Sequence, residues 1–364
     1  MGFEKLTLKS VTARPVMIPL RRAVVSKVGS FKAWPMVLID LVTEEGIVGR
    51  SYLEPYLRQA MPSIISLIGD LAGQRVGRPV RPVDDFQQSR RSLNLVGYEG
   101  LAMIAISGLD MAAWDALAKA AGLPLAEFLG GSLAPVPAYN SNGLWLIDPA
   151  KVRDEAAELV AEGGFTGLKL RLGRERLADD LAAIEAVRSA AGAEIKLMVD
   201  FNQGLSLGDA LLRCHALDEQ GLYWLEEPIA YDNLEGYARL ARELKTPMQL
   251  GENFYGPRAL AQAVTMGASD LVMPDLMRIG GVSGWLRAAA IAGSAGLPMS
   301  SHLYPEFSAH LMRVTETAHL LEWQDWADPI LAETFQVVGG NIVIPRRPGA
   351  GIDWNEAAVK RYTA

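Results

Sequence analysis

One cysteine in 364 residues, Cys214, has no partner for an intrachain disulfide and suits a reducing compartment. Basic residues are outnumbered, 35 against 42 acidic, for a formal charge of −7. No basic stripe runs along the chain, so nucleic acid is not an expected partner. Long apolar runs are missing as well. The least charged stretch, 288–301, is mostly Ala, Gly and Ser and too short to cross a bilayer, so no membrane partner is expected. The opening MGFEKLTLKS is broken by Glu4, Lys5 and Lys9 and lacks the apolar core of a signal peptide. Histidine is scarce, with four in all. These absences point to a cytoplasmic, soluble protein. Its length allows two domains, or one barrel with a cap.

The texture of the chain changes twice. Residues 6–54 read as a small antiparallel sheet, with β-type runs VTARPVMIPL and MVLIDLVT and a turn at Glu45-Gly46. The Ala-rich GLAMIAISGLDMAAWDALAKAAG follows, apolar at helical spacing and stopped by Gly122 with Pro124 beyond. From Ala138 to about Trp323, short apolar strands alternate with Ala/Leu-rich helices: PAYNS, TGLKLRL, EIKLMVD, LYWLEE, PMQLGE, DLVMPD, LPMSSH and HLLEW. Eight strands in such alternation are the count of a (β/α)8 barrel. The tail FQVVGGNIVIPRRPGAGIDW reads as a hairpin around Gly339-Gly340-Asn341 that returns to the first domain. The expected fold is therefore α/β: a modified TIM-type (β/α) barrel at 134–325, an N-terminal α+β capping domain at 1–133, and a C-terminal segment at 326–364 completing the cap.

Each barrel strand ends on an ionisable residue: Asp200, Glu226, Glu252, Asp275, His302 and Glu322, at spacings of 26, 26, 23, 27 and 20 residues. In such a barrel these ends form one rim, where active sites are built. Lys169 and Arg171, on one face of GLKLRLG, join the same rim because strand side chains alternate. Three carboxylates held together need a cation to stay ionised, so Asp200, Glu226 and Glu252 suggest Mg²⁺ held by hard oxygen ligands. Glu227, directly after Glu226, is expected to point the other way and be structural. Asp275 beside His302 would fix the imidazole's tautomer and raise its basicity, making a general base. Glu322, kept protonated, could donate a hydrogen bond to a developing oxyanion.

MVDFNQ, WLEEP, GENFYGP, MPDLMRIGGVSGW, GLPMSSHLYPEFSAHL and TAHLLEW, with PMVLIDL, SYLEPY and GLDMAAWDAL in the cap, resemble the enolase superfamily and within it the mandelate racemase subgroup. The resemblance covers essentially the whole chain. It implies Asp200, Glu226 and Glu252 as metal ligands, Asp275 and His302 as a proton-transferring dyad, and Glu322 as an electrophilic acid. It also implies Lys169 and Ser141 on the substrate carboxylate and Asn202 on its α-hydroxyl. A cap segment, Leu20–Pro35 with Val24 and Val28, would close over the substrate together with Tyr56 and Leu95. A homo-oligomer, up to an octamer, is implied too.

One position departs from the pattern. The family carries Lys-x-Lys on the strand where this chain has Lys169 and Arg171, and its second lysine is the base opposite the histidine. Arginine, with a pKa above about 12, keeps its proton near neutrality. It remains a fork for carboxylates and hydroxyls. One base, His302, suits abstraction of an α-proton followed by loss of a β-hydroxyl. The expected activity is therefore Mg-dependent enolisation of a 2-hydroxy carboxylate through an enediolate, as an acid-sugar dehydratase (a hydro-lyase). The alternatives are a mandelate-like racemase or epimerase, in which Arg171 would act as base or proton donor, and a non-catalytic metal-bound barrel. Lys27 and Lys32 in the lid would favour a polar or doubly anionic substrate, unless they face solvent.

Overall fold

A computed structural model describes residues 5–364; the first four residues of MGFEKLTLKS lie outside it. Three long antiparallel strands open the chain: β1 (Leu8–Ser26), β2 (Gly29–Thr43) and β3 (Val48–Leu53), in the order β1-β2-β3. The predicted lid is the far end of the β1–β2 ribbon. Its register breaks between Pro19 and Val24, and its tip is Lys27-Val28. Helix Leu101–Ala120 packs against β3 at unusually close range. A Cβ on Gly108 would fall 2.4 Å from Ile39 Cδ1, and one on Gly49 would fall 2.0 Å from the Ala112 carbonyl oxygen. Glycine at both places lets helix and sheet approach closely: Gly49 meets the helix backbone, and Gly108 makes room for the Ile39 and Leu53 side chains. By length and composition this helix could cross a bilayer, but it is mostly buried inside the fold.

The barrel comprises β4 (Val136–Asn140), β5 (Gly167–Arg171), β6 (Lys196–Asp200), β7 (Trp224–Glu226), β8 (Met248–Leu250), β9 (Leu271–Val272) and β10 (Leu321–Trp323). β4 to β9 pair in parallel sequence, and β10 returns to pair with β4. The seventh expected strand, LPMSSH, is not one. It is reduced to single bridges, Met299 to Val272 and to Ala318, and His302 to Asp275. An apolar run flanked by Pro and Ser-Ser supports isolated bridges at Met299 but no continuous ladder. The tail hairpin, β11 (Gln336–Val338) and β12 (Asn341–Val343), turns at the two glycines as expected, but β12 pairs with β4 of the barrel and not with the cap. Only the stretch beyond reaches the cap, where helix Glu356–Tyr362 packs on β1 and Val16 bridges Thr363.

Candidate active site

Parallel pairing sets Arg171 level with Asp200, and Asp200 level with Glu226. Glu252 follows β8 by two residues. One oxygen from each of the three carboxylates lies within 4.8 Å of the other two. Burial pushes Glu226 up to about 8 and raises Asp200 as well, while Lys169 pulls both back. Such a set cannot stay fully ionised without added positive charge, and its donors are all hard oxygens, which fits a magnesium ion. Glu227 does not point away. Its backbone leaves the strand with φ 35°, so alternation ends at Glu226. Its Oε2 accepts from Asn253 Nδ2 at 2.7 Å, and the same nitrogen lies 3.3 Å from Glu252 Oε1. Burial, then Glu252, Asp200 and Glu226, raise its pKa well above the ordinary range.

Lys169 Nζ sits 2.7 Å from Glu226 Oε1 and 2.6 Å from Glu322 Oε1. Burial works against its charge, but these two carboxylates raise its pKa above the usual lysine range. Glu322 therefore differs from the neutral acid expected. Burial would raise its carboxyl, but Lys169, His302 and Arg171 hold it down at about 2, so it is ionised at neutral pH. Its Oε2 accepts the backbone N–H of Leu303 at 3.0 Å. His302 Nδ1 is 2.7 Å from Asp275 Oδ2, and Nε2 is 3.3 Å from Glu252 Oε2. Asp275 is itself held by the N–H groups of Met277 and Arg278, which donate to its Oδ1. Burial would lower the imidazole, but Glu252, Glu322 and Asp275 carry it up to about 9.

Arg171 is immobilised on three sides. Nη1 donates to the carbonyls of Ser141 and Gly143 at 3.1 Å each, and Nη2 donates to Ser141 Oγ at 2.8 Å. Its plane lies over Trp145, 3.7 Å from the ring centroid. Nε has no hydrogen-bond partner and is 3.9 Å from Asp200 Oδ2. Ser141 thus anchors Arg171 and is fully buried beneath it; it is not among the cavity-lining residues, contrary to the carboxylate contact expected of it.

A cavity of about 280 Å³ opens between barrel and cap. Lys169, Arg171, Asp200, Asn202, Glu252 and His302 line its floor, and Val24, Val28 and Tyr56 line its roof. Asn202 Nδ2 donates to Asp200 Oδ2 at 2.7 Å, which places its side chain beside the carboxylate triad. Leu95 is an exception: it is fully exposed, at 101%, on the segment after helix Pro82–Ser92, and lines no part of the cavity. Lys27 and Lys32 do not line it either. The Lys27 stem crosses Gly204, where a Cβ would fall 2.4 Å from its Cγ.

Several site residues carry little or no sequence signal. Phe31, Trp34, Trp145 and Trp326 complete the roof, with Trp34 4.4 Å from Trp326 and 5.2 Å from Tyr56, centroid to centroid. Arg278 donates to the Glu252 carbonyl at 3.0 Å and stacks on Tyr56. Its position one turn after Asp275 in MPDLMRIGG is the available signal; Phe31 and Trp34 fall within the expected lid, Leu20–Pro35, whereas Trp145 and Trp326 have none. All seven non-glycine residues with positive φ among the described residues (Tyr56, Leu144, Asn202, Gln203, Glu227, Leu303 and Tyr304) line this cavity or adjoin a residue of the site. Each such conformation costs about 1–3 kcal/mol and persists only where surrounding contacts enforce it.

Comparison with known proteins agrees with this geometry. Residues 8–130 match the family model for the mandelate racemase/muconate lactonizing enzyme N-terminal domain, and residues 151–358 match the enolase C-terminal domain-like model. The chain is 36% identical over 268 residues to an L-talarate/galactarate dehydratase of Salmonella typhimurium, covering 74% of this chain and 67% of that one. A solved structure of an enolase from alphaproteobacterium BAL199, with bound magnesium, is 54% identical with a TM-score of 0.97, covering 99% and 100% of the two chains. An enolase from Bradyrhizobium, complexed with magnesium and mandelic acid, is 41% identical with a TM-score of 0.95 over the full length of both.

Proposed function

We infer the function from one premise: the chain belongs to the mandelate racemase/muconate lactonizing enzyme family of the enolase superfamily. It is a magnesium-dependent enolisation enzyme whose substrate is a small 2-hydroxy carboxylate, and its reaction is the dehydration of an acid sugar. The observation that carries this is the asymmetry of the two cations and the imidazole. His302, backed by Asp275, is free to exchange a proton on one side of the cavity. Arg171 gives three hydrogen bonds to Ser141 and Gly143 and offers no lone pair.

Asp200, Glu226 and Glu252 would hold the magnesium, which when bound supplies the positive charge that stabilises an enediolate. Lys169, buried and charged, neutralises the substrate carboxylate as the dianion forms. His302 Nε2 takes the α-proton. Glu252, which raises the imidazole, belongs to the triad, so neutralising it leaves the imidazole free to act as base. The resulting imidazolium returns its proton to the departing β-hydroxyl. The C–H and C–O bonds break, water leaves, and the enol product tautomerises to a 2-keto-3-deoxy acid. Asn202 would meet the α-hydroxyl. Glu322, ionised, keeps Lys169 in place. The Salmonella talarate/galactarate dehydratase relative supports this reading. We place the enzyme in the cytoplasm as a homo-oligomer; the exposed Leu95 and Val96, at 101% and 84%, support a covered surface in the assembly.

The Bradyrhizobium relative with mandelic acid favours a second reading, enolisation of a 2-hydroxy acid with no β-hydroxyl. Proton NMR in D₂O separates the two. The magnesium-loaded enzyme should convert one member of an acid-sugar panel to a 2-keto-3-deoxy acid. Mandelate should show at most loss of the α-proton signal from one enantiomer, without inversion. Inversion by the unaltered enzyme would make Arg171 a functional base and would sink the one-base reading. Inversion that appears only in Arg171→Lys would support it.

A further inference from the structure

His302 does not sit on a continuous strand. A single bridge joins it to Asp275, and the next two residues, Leu303 and Tyr304, both take left-handed backbone, φ 52° and 54°. Bulky side chains rarely adopt that conformation, so a turn of two in succession must be held by its neighbours. The barrel supplies one set of contacts. The Leu303 N–H donates to Glu322 Oε2, and the Leu303 carbonyl accepts from Ser308 Oγ, at 3.0 Å each.

The cap supplies the other. The backbone N–H of Glu54 donates to the Tyr304 hydroxyl at 2.9 Å, and the Tyr304 ring stacks on Tyr52 with centroids 5.1 Å apart. Tyr52 in turn donates from its hydroxyl to Glu306 Oε2. The Glu54 side chain accepts from Trp34 Nε1 at 2.7 Å, and Trp34 lines the cavity from the lid ribbon. Every one of these residues is buried. A continuous hydrogen-bonded path therefore runs from the roof, through Glu54 and Tyr304, to the turn that carries the imidazole.

We propose that Tyr304 is a positioning residue for proton abstraction, through which the cap holds the turn that aims His302. The proposal rests on His302 being the base. Without the cap's hydrogen bond, residues 303 and 304 relax toward ordinary backbone, Leu303 drifts from Glu322, and Nε2 leaves the line of the α-proton. A displacement of about 1 Å at a reacting group lowers the rate on the order of a hundredfold. A cap not seated on β3's end would leave the base unaimed, so closure over the substrate and readiness for chemistry are one event.

The test uses the full magnesium-loaded chain and four proteins: unaltered, Tyr304→Phe, Tyr52→Phe and His302→Asn. Galactarate and mandelate serve as probes for α-proton exchange in D₂O. Ring-¹⁵N histidine labelling gives only four imidazoles to resolve, and His302→Asn identifies the downfield Nδ1–H of the dyad. Tyr304→Phe keeps the ring stack and removes the acceptor. It should lower exchange by roughly 10- to 100-fold with KM within about twofold, and should broaden or shift the dyad resonance. Tyr52→Phe should lose comparable thermal stability yet keep both rate and resonance. If neither acid exchanges, the resonance decides alone. An unchanged rate and resonance in Tyr304→Phe overturns the proposal only, as does equal loss in both tyrosine variants. Full exchange in His302→Asn overturns the assignment of the base, and this proposal with it.

Discussion

The floor of the cavity is built from charges that successive barrel strands deliver at intervals of 20 to 31 residues, whereas its roof is built from rings scattered between Phe31 and Trp326. The floor is held by hydrogen bonds and ion pairs at 2.6–3.3 Å, the roof by tilted, edge-on and stacked ring contacts at 4.4–6.2 Å. The floor stores unfavourable energy: three converging buried carboxylates, with a fourth in Glu227, are kept together for chemistry at the expense of stability. The roof does the reverse, burying large apolar side chains across the seam between the domains. Reaction and cohesion are thus assigned to opposite walls of one cavity.

Substitution on each wall should separate the two roles. Glu226→Gln should abolish turnover, with a loss of at least about a thousandfold, and should remove most of the rise in thermal midpoint that magnesium gives the unaltered protein. The midpoint of the metal-free protein should change little, because the loss of one crowded carboxylate is relieved repulsion while Lys169 keeps its pair with Glu322. Turnover assays and thermal melts with and without magnesium check both halves; a large metal-free loss would mean that the floor also holds the fold together. Trp326→Ala, on the roof, should cost about 4 kcal/mol in denaturant unfolding and raise KM, while leaving kcat within about threefold. An unchanged KM would break the assignment of the roof to substrate retention.

The smallest effect concerns a histidine in neither wall. His310 Nδ1 accepts the Ala126 N–H at 3.1 Å, and burial lowers the ring to about 4. Its folded pKa lies below the unfolded value of about 6.5, so the unfolded chain takes up the proton first as pH falls. Stability from this group is complete above about pH 6.5 and is lost between there and about pH 4, up to about 3 kcal/mol. Denaturant titrations of the metal-free protein and His310→Gln should diverge in pH dependence over that window. Parallel curves would move the acid sensitivity to the floor.

Legibility in the sequence follows the same division. Barrel topology converts a spacing along the chain into a place on the rim, so spacing alone suffices to place Asp200, Glu226, Glu252, Asp275 and His302. It fails for Glu227, whose φ of 35° cancels the alternation that strand geometry predicts. The charge on Glu322 is illegible for another reason: the Lys169 contact that decides it spans 153 residues and leaves no local pattern. The degenerate strand at Met299 shows how weakly a short apolar run constrains pairing. Trp34, Trp145 and Trp326 belong to no periodic segment; only the closed fold brings them together.

The closing stretch of the chain carries a consequence for how the molecule is made. β1 emerges first, yet its contacts with Thr363 and with helix Glu356–Tyr362 can form only after the whole barrel has been synthesised. Hydrogen bonds from Arg14 to Glu356 and from Trp354 to Asp40 close loops of more than 300 residues. Loop closure of that length is slow, so the cap's outer edge is finished last. Until then the enzyme has a complete catalytic floor under an unsecured roof, and activity during refolding should lag behind the recovery of barrel structure.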